Sequence, residues 1–88
     1  MRTPILGTQF QRDVKLAQKR GKDMGKLRAL LELLIAGEAL PPRFRDHPLV
    51  GEWRHCRDCH IEPDWLLIYK IDGEDLHLVR TGTHSDLF

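Results

Sequence analysis

Eight residues near the middle of the chain, Pro41-Pro42-Arg43-Phe44-Arg45-Asp46-His47-Pro48, separate two halves of different periodicity. Adjacent prolines and a third after His47 remove backbone donors and push the preceding residues away from helical geometry. We therefore expect a crossing loop without regular structure. Upstream of it, apolar residues recur at spacings of three and four. Downstream they come in short runs bounded by turn residues. With 88 residues, of which 41% are hydrophobic, the chain can build one core and not two. The two halves must then pack on each other as one domain over residues 1–88.

The upstream half begins with Pro4-Ile5-Leu6, a short strand ending at Gly7. Thr8, with Gln11 three residues on, reads as a capping box opening a first helix. Phe10, Val14 and Ala17 share one face of that helix, and Gly21 supplies a left-handed stop. Asp23 caps a second helix carrying Met24, Leu27, Leu30, Leu31, Leu34 and Ile35 on one stripe, closed by Gly37. So short a link makes the pair an αα-hairpin with a shared apolar face, which is core rather than a partner groove. Beyond the proline-rich segment, strands are expected over roughly Gly51 to Cys59, Trp65 to Ile71 and Asp75 to Arg80, with Glu-Pro-Asp and Asp72-Gly73 turns between them. The order β-α-α-β-β-β predicts a two-layer α+β fold, with helices on one face of a sheet that ends in an antiparallel meander.

No run approaches the roughly 20 apolar residues of a membrane span, and Met1-Arg2-Thr3-Pro4-Ile5-Leu6-Gly7 lacks the apolar core of a secretory signal. A cytoplasmic protein with reduced cysteines is expected. The net charge of +1 conceals an asymmetry: residues 1–28 carry eight Lys or Arg against two Asp, and the remainder six against eleven acids. Such a basic half suits a polyanion or an acidic partner protein, although Lys-rich solvated helix faces give the same count.

Cys56-Arg57-Asp58-Cys59-His60 matches the C-x-x-C-H pattern of haem attachment and of a zinc half-site. On a strand, residues three apart point to opposite faces with Cα atoms about 10 Å apart. They cannot grip one metal or one porphyrin, and no second cysteine pair completes a zinc site. We read them as small strand residues and expect neither haem nor zinc.

Five polar residues and a terminal aromatic remain. His60 follows the first meander strand, Asp64 precedes the second, and Arg80 and His84 follow the third. Antiparallel order puts those positions at one sheet edge. His47 lies at the other end of its strand, and only the 41–49 loop could bring it in. His55 and His77 sit inside strands as ordinary surface or half-buried residues, and Trp53, Trp65 and Tyr69 are packing residues. Phe88, a terminal aromatic, suits stacking on a base. Each residue alone has a bland reading as a turn or strand-end residue. Together they supply what RNA cleavage through its own 2′-hydroxyl requires: a proton acceptor, a proton donor and a cation for phosphorane charge, with no metal or cofactor.

The stretches Asp46-His47-Pro48-Leu49, Gly51-Glu52-Trp53, Arg57 to Lys70, Leu78 to Ser85 and Leu87-Phe88 resemble the YafQ branch of the RelE superfamily, toxins of bacterial type II toxin–antitoxin systems. That resemblance implies a ribosome-dependent messenger RNA endonuclease that cuts in the A site and is neutralised by an acidic antitoxin. It also implies an active site of His47, His60, Asp64, Arg80, His84 and Phe88. On this reading His84 protonates the leaving 5′-oxygen, His47 or His60 is the base, Asp64 orients a histidine or joins proton transfer, Arg80 holds the phosphate, and Phe88 meets the substrate. The basic surface of residues 12–28 would face ribosomal RNA. The competing reading is a non-catalytic toxin-like module acting in antitoxin or operator complexes.

Overall fold

The computed structural model describes residues 1–88. Its elements are β1 (Thr3–Leu6), α1 (Thr8–Lys19), α2 (Met24–Ala36), β2 (His47–Pro48), β3 (Arg57–Glu62), β4 (Trp65–Asp72), β5 (Asp75–Gly82) and α3 (His84–Leu87). The strands form one sheet in the order β1-β5-β4-β3-β2, in which β1 runs parallel to β5 and all other pairs are antiparallel. The two-layer α+β arrangement expected from the sequence is the observed one.

Strand β4 organises the interior. Trp65-Leu66-Leu67-Ile68-Tyr69 is apolar at every position, the mark of a strand covered on both faces. Alternation sends Trp65, Leu67 and Tyr69 into a core with Phe10, Ala17, Leu27, Leu30 and Leu34 of the helices and Leu76 and Leu78 of β5. Leu66 and Ile68 point the other way, into a smaller cluster with Leu87, Trp53, Leu49, Cys56 and Val79. The sheet thus has a helix-covered face and a second face only partly covered by the 49–56 loop and α3. Cys59 of β3 lies in the first cluster, and Cys56, which precedes the strand, packs against the second.

Two helix stops and one start follow the local chemistry. Gly21 and Gly37 both adopt φ of 78°, a left-handed turn that glycine enters without a Cβ clash. Asp23 accepts a hydrogen bond from the Gly25 amide at 2.9 Å and caps α2.

The sequence expectations need four corrections. No capping box opens α1: its N-cap is Gly7, without a side-chain cap, and Thr8 is already helical. The Gly7 amide donates to the Leu78 carbonyl at 3.1 Å, which ties the N-cap to β5, and the helix starts one residue earlier than the capping motif suggested. The proline-rich segment is not irregular throughout. Pro42–Phe44 forms a 3-10 turn, and His47–Pro48 pairs with Asp58 and Arg57 as the two-residue edge strand β2, where a missing proline donor is harmless. The strand expected over 51–59 begins only at Arg57; Gly51–Trp53 is a 3-10 turn, and left-handed Gly51 (φ 69°) and His55 (φ 74°) break the extended run. Finally, β5 continues to Gly82, and residues read as a loop become α3, opened by a capping box between Thr83 and Asp86.

Candidate active site

Placement of His47 starts with the residue before it. The Tyr69 hydroxyl donates to Asp46 Oδ1 at 2.6 Å, and Arg57 Nε and Nη2 donate to the same carboxylate at 3.2–3.4 Å. Burial and the neighbouring Asp46 carboxylate push the Tyr69 phenol above its ordinary pKa, so it remains a donor. Neighbouring residues of an extended segment face opposite ways. Fastening Asp46 to Tyr69 therefore presents His47 on the second face, where its ring centroid lies 6.3 Å from that of His60. The loop does bring His47 in.

His60 in turn lies 5.7 Å from His84, edge to face. The three imidazoles form a row along the strand ends. Each has Nδ1 against an oxygen: Arg45 O at 2.7 Å for His47, Pro63 O at 3.2 Å for His60 and Asp64 Oδ1 at 2.6 Å for His84. A carbonyl or ionised carboxylate can only accept, so Nδ1 carries a proton in each ring and Nε2 is the nitrogen left to accept one. Asp64 also accepts from the His84 amide at 2.9 Å, and these two bonds hold its carboxyl below the usual range. Holding the His84 amide and Nδ1 together, Asp64 fixes the direction in which Nε2 points.

Asp58 did not stand out in the sequence, hidden inside the C-x-x-C-H match. It sits two residues before His60 on β3, hence on the same face, and only 4% of its surface is exposed. His47 Nε2 is 3.8 Å from Asp58 Oδ2, while Oδ1 has no hydrogen-bond partner. Burial raises its pKa, against the pull of His47, His60 and His84. A desolvated carboxylate beneath three imidazoles is costly for the fold and useful for holding positive charge. Asp58→Asn is expected to leave thermal stability unchanged or slightly higher while cutting RNA cleavage about a hundredfold; a melting curve and a cleavage rate on the same preparation check both signs.

Arg80 stands apart from this row in one respect. Its Nε and Nη2 donate to Asp13 at 2.7 and 3.3 Å, and the Thr81 amide donates to the same carboxylate at 3.1 Å. The buried Asp13 of α1 was not singled out in the sequence, although its position beside the apolar face of α1 was the available signal. Phe88 is 58% exposed and packs edge to face on Trp53 at 6.3 Å. His55 is exposed in a turn rather than inside a strand, and His77 lies on β5 away from the row. In the basic half, Arg20 pairs with Asp86 at 2.6 Å, and Lys22 and Lys26 both pair with Glu62, at 3.1 and 2.9 Å. Three of the charges expected to face a polyanion are thus already matched within the chain, and Arg12, Lys15, Lys19 and Arg28 have no carboxylate partner.

A RelE-like sheet bearing a row of imidazoles beside carboxylates fits the class of small endoribonuclease toxins. The sequence profile of the family described as the bacterial toxin of type II toxin–antitoxin systems, YafQ, matches residues 2–88. The mRNA interferase toxin YafQ of Escherichia coli K12 is 56% identical over 81 residues, covering 91% of this chain and 88% of that protein. The crystal structure of YafQ from E. coli BL21(DE3) superposes with a TM-score of 0.95 at 50% identity, over 100% of this chain and 99% of the other. YafQ in the E. coli DinJ–YafQ complex gives 0.93 at 52% identity with the same coverage. The chain belongs to the YafQ family of type II toxin–antitoxin toxins.

Proposed function

We propose that this toxin cleaves messenger RNA in the ribosomal A site by acid–base chemistry that uses the substrate's own 2′-hydroxyl. The observation that carries the proposal is the row of three imidazoles, each with Nδ1 bonded to an oxygen and Nε2 without a hydrogen bond, with a carboxylate beside each outer member, Asp58 by His47 and Asp64 by His84. In this scheme His47 Nε2 takes the proton from the 2′-hydroxyl, and Asp58 stabilises the imidazolium that forms. The alkoxide attacks the adjacent phosphorus, the bond to the 5′-oxygen breaks, and His84 Nε2 delivers its proton to that leaving oxygen. The products are a 2′,3′-cyclic phosphate and a 5′-hydroxyl. His60 lies between the two and can bond the phosphoryl oxygens or substitute as base.

Arg80 is assigned to the phosphate. Asp13 occupies Nε and Nη2, leaving Nη1 unbonded, so the carboxylate acts as a bracket that fixes the guanidinium plane rather than as a competitor for all five donors. Phe88 is assigned to stacking on a base, with Trp53 as its support. The partners we assign are a cognate acidic antitoxin, as DinJ is the partner of YafQ in the E. coli complex, together with the ribosome and its message. Unpaired Arg12, Lys15, Lys19 and Arg28 are the cations available to ribosomal RNA.

Dependence on the ribosome is tested by primer extension on a translated message after induction. Cuts are expected at fixed codon positions in frame, and they should vanish when the start codon of that message is removed. Cuts that persist without translation would show a nuclease acting on free RNA. Growth arrest that survives loss of all cutting would favour the non-catalytic reading.

A further inference from the structure

Beside the imidazole row, α2, the Pro42–Phe44 turn and the end of β3 line an open cleft of about 560 Å³. Its lining divides by chemistry. Ala29, Phe44, Ile61 and Pro63 give apolar surface, and Lys26, Arg43, Arg45, His60 and Glu62 line the remainder. His60 lines the cavity and also stands in the row, so the two sites adjoin at that residue.

Lys26 is paired with Glu62, and Arg20, Arg57 and Arg80 are each committed to a carboxylate, whereas Arg43 and Arg45 have none, and both are exposed. Arg43 is nevertheless held, its guanidinium carbon 4.7 Å from the centre of the Phe44 ring. Arg45 occupies a left-handed conformation (φ 50°), uncommon for a residue with a side chain, and from it the backbone carbonyl reaches His47. Two unmatched guanidinium groups next to an apolar floor of this size fit a base with its phosphate.

We propose that this cavity is a nucleotide subsite, taking the nucleotide that adjoins the scissile phosphate, with its base over Ala29, Ile61 and Pro63 and its phosphate on Arg43 and Arg45. The proposal rests on the active-site reading above. Contact with the row at His60 and an apolar floor beside two guanidinium groups favour an RNA strand, which carries base and phosphate together, over an acidic protein segment.

The test is an NMR titration of the full chain with a tetraribonucleotide carrying 2′-deoxyribose at the attacking position, so that it binds without being cut. Amide shifts at Ala29, Ile61 and Glu62 are expected together with shifts in the histidine rings. In Arg43→Gln/Arg45→Gly, the pocket shifts should disappear and affinity should fall at least tenfold. The slope of log affinity against log salt should drop by about 0.7 for each phosphate contact removed. Glycine at 45 keeps the left-handed backbone and the carbonyl to His47, and retained amide dispersion verifies the fold. Shifts confined to the three histidines, and equal in the variant, would overturn the subsite while leaving the active-site reading intact. A pocket that responds to an acidic peptide and not to the oligonucleotide overturns it as well. Cleavage on ribosomes remains the separate measure of the active-site reading.

Discussion

His84→Gln is expected to lower message cleavage on programmed ribosomes by about a thousandfold, with thermal stability within about 0.5 kcal/mol of the parent. The size follows from the role. Loss of a positioned proton donor typically costs between about a hundred and ten thousandfold, and at about 1.4 kcal/mol per tenfold a thousandfold effect is about 4 kcal/mol of transition-state stabilisation. The small effect on the fold follows from exposure: the His84 side chain retains 54% of its accessible surface. Glutamine preserves a donor toward Asp64 but cannot carry an acidic proton on the far side. His77→Gln, on the same sheet but outside the row, should be indistinguishable from the parent. Equal losses for His77 and His84 would mean that the effect is structural and would remove the acid from His84.

Asp13→Ala acts through the fold instead. The carboxylate is 7% exposed and accepts from Arg80 twice, from the Thr81 amide and from Gln9. Truncation strands a guanidinium whose side chain is only a quarter exposed and leaves a buried amide unpaired, for a cost of about 3 kcal/mol. For a domain of this length that corresponds to a fall in Tm of about 12–24 °C. Replacing both partners by apolar groups, Asp13→Leu with Arg80→Met, should recover most of the loss, because no charge is then left uncompensated. The double variant should still cleave poorly, since the cation assigned to the phosphate is gone. A double variant that is stable and fully active would free Arg80 from any part in the reaction. Calorimetry and cleavage rates on the three proteins separate these outcomes.

The parts of the fold that were legible are those set by periodicity and local chemistry. The stripe from Leu27 to Leu34, the αL glycines at 21 and 37, and the unbroken apolar run of β4 each act over a few residues, so their meaning survives without tertiary context. What could not be read depends on partners far away in sequence. Asp13, Asp46 and Asp58 are unremarkable acids on their own; their importance comes from Arg80, from Tyr69 with Arg57, and from burial beneath His47. The position of His47 was open for the same reason, because the hydrogen bonds of Asp46 that swing it into place span 11 and 23 residues. Helix α3 was invisible because four residues are too few to show a period, although Thr83 and Asp86 carried the capping signal. The two cysteines illustrate the opposite error, a motif read as one unit although Cys59 lies on β3 in the helix-covered core and Cys56 precedes that strand and packs against the other cluster.

End-group analysis of the fragments released from a programmed ribosome tests acid–base attack by the 2′-hydroxyl most directly. The upstream fragment should end in a 2′,3′-cyclic phosphate and the downstream fragment should begin with a 5′-hydroxyl. A 3′-hydroxyl on the upstream fragment with a 5′-phosphate downstream would mean that water, not the ribose, is the nucleophile, and would contradict the roles given to His47 and His84.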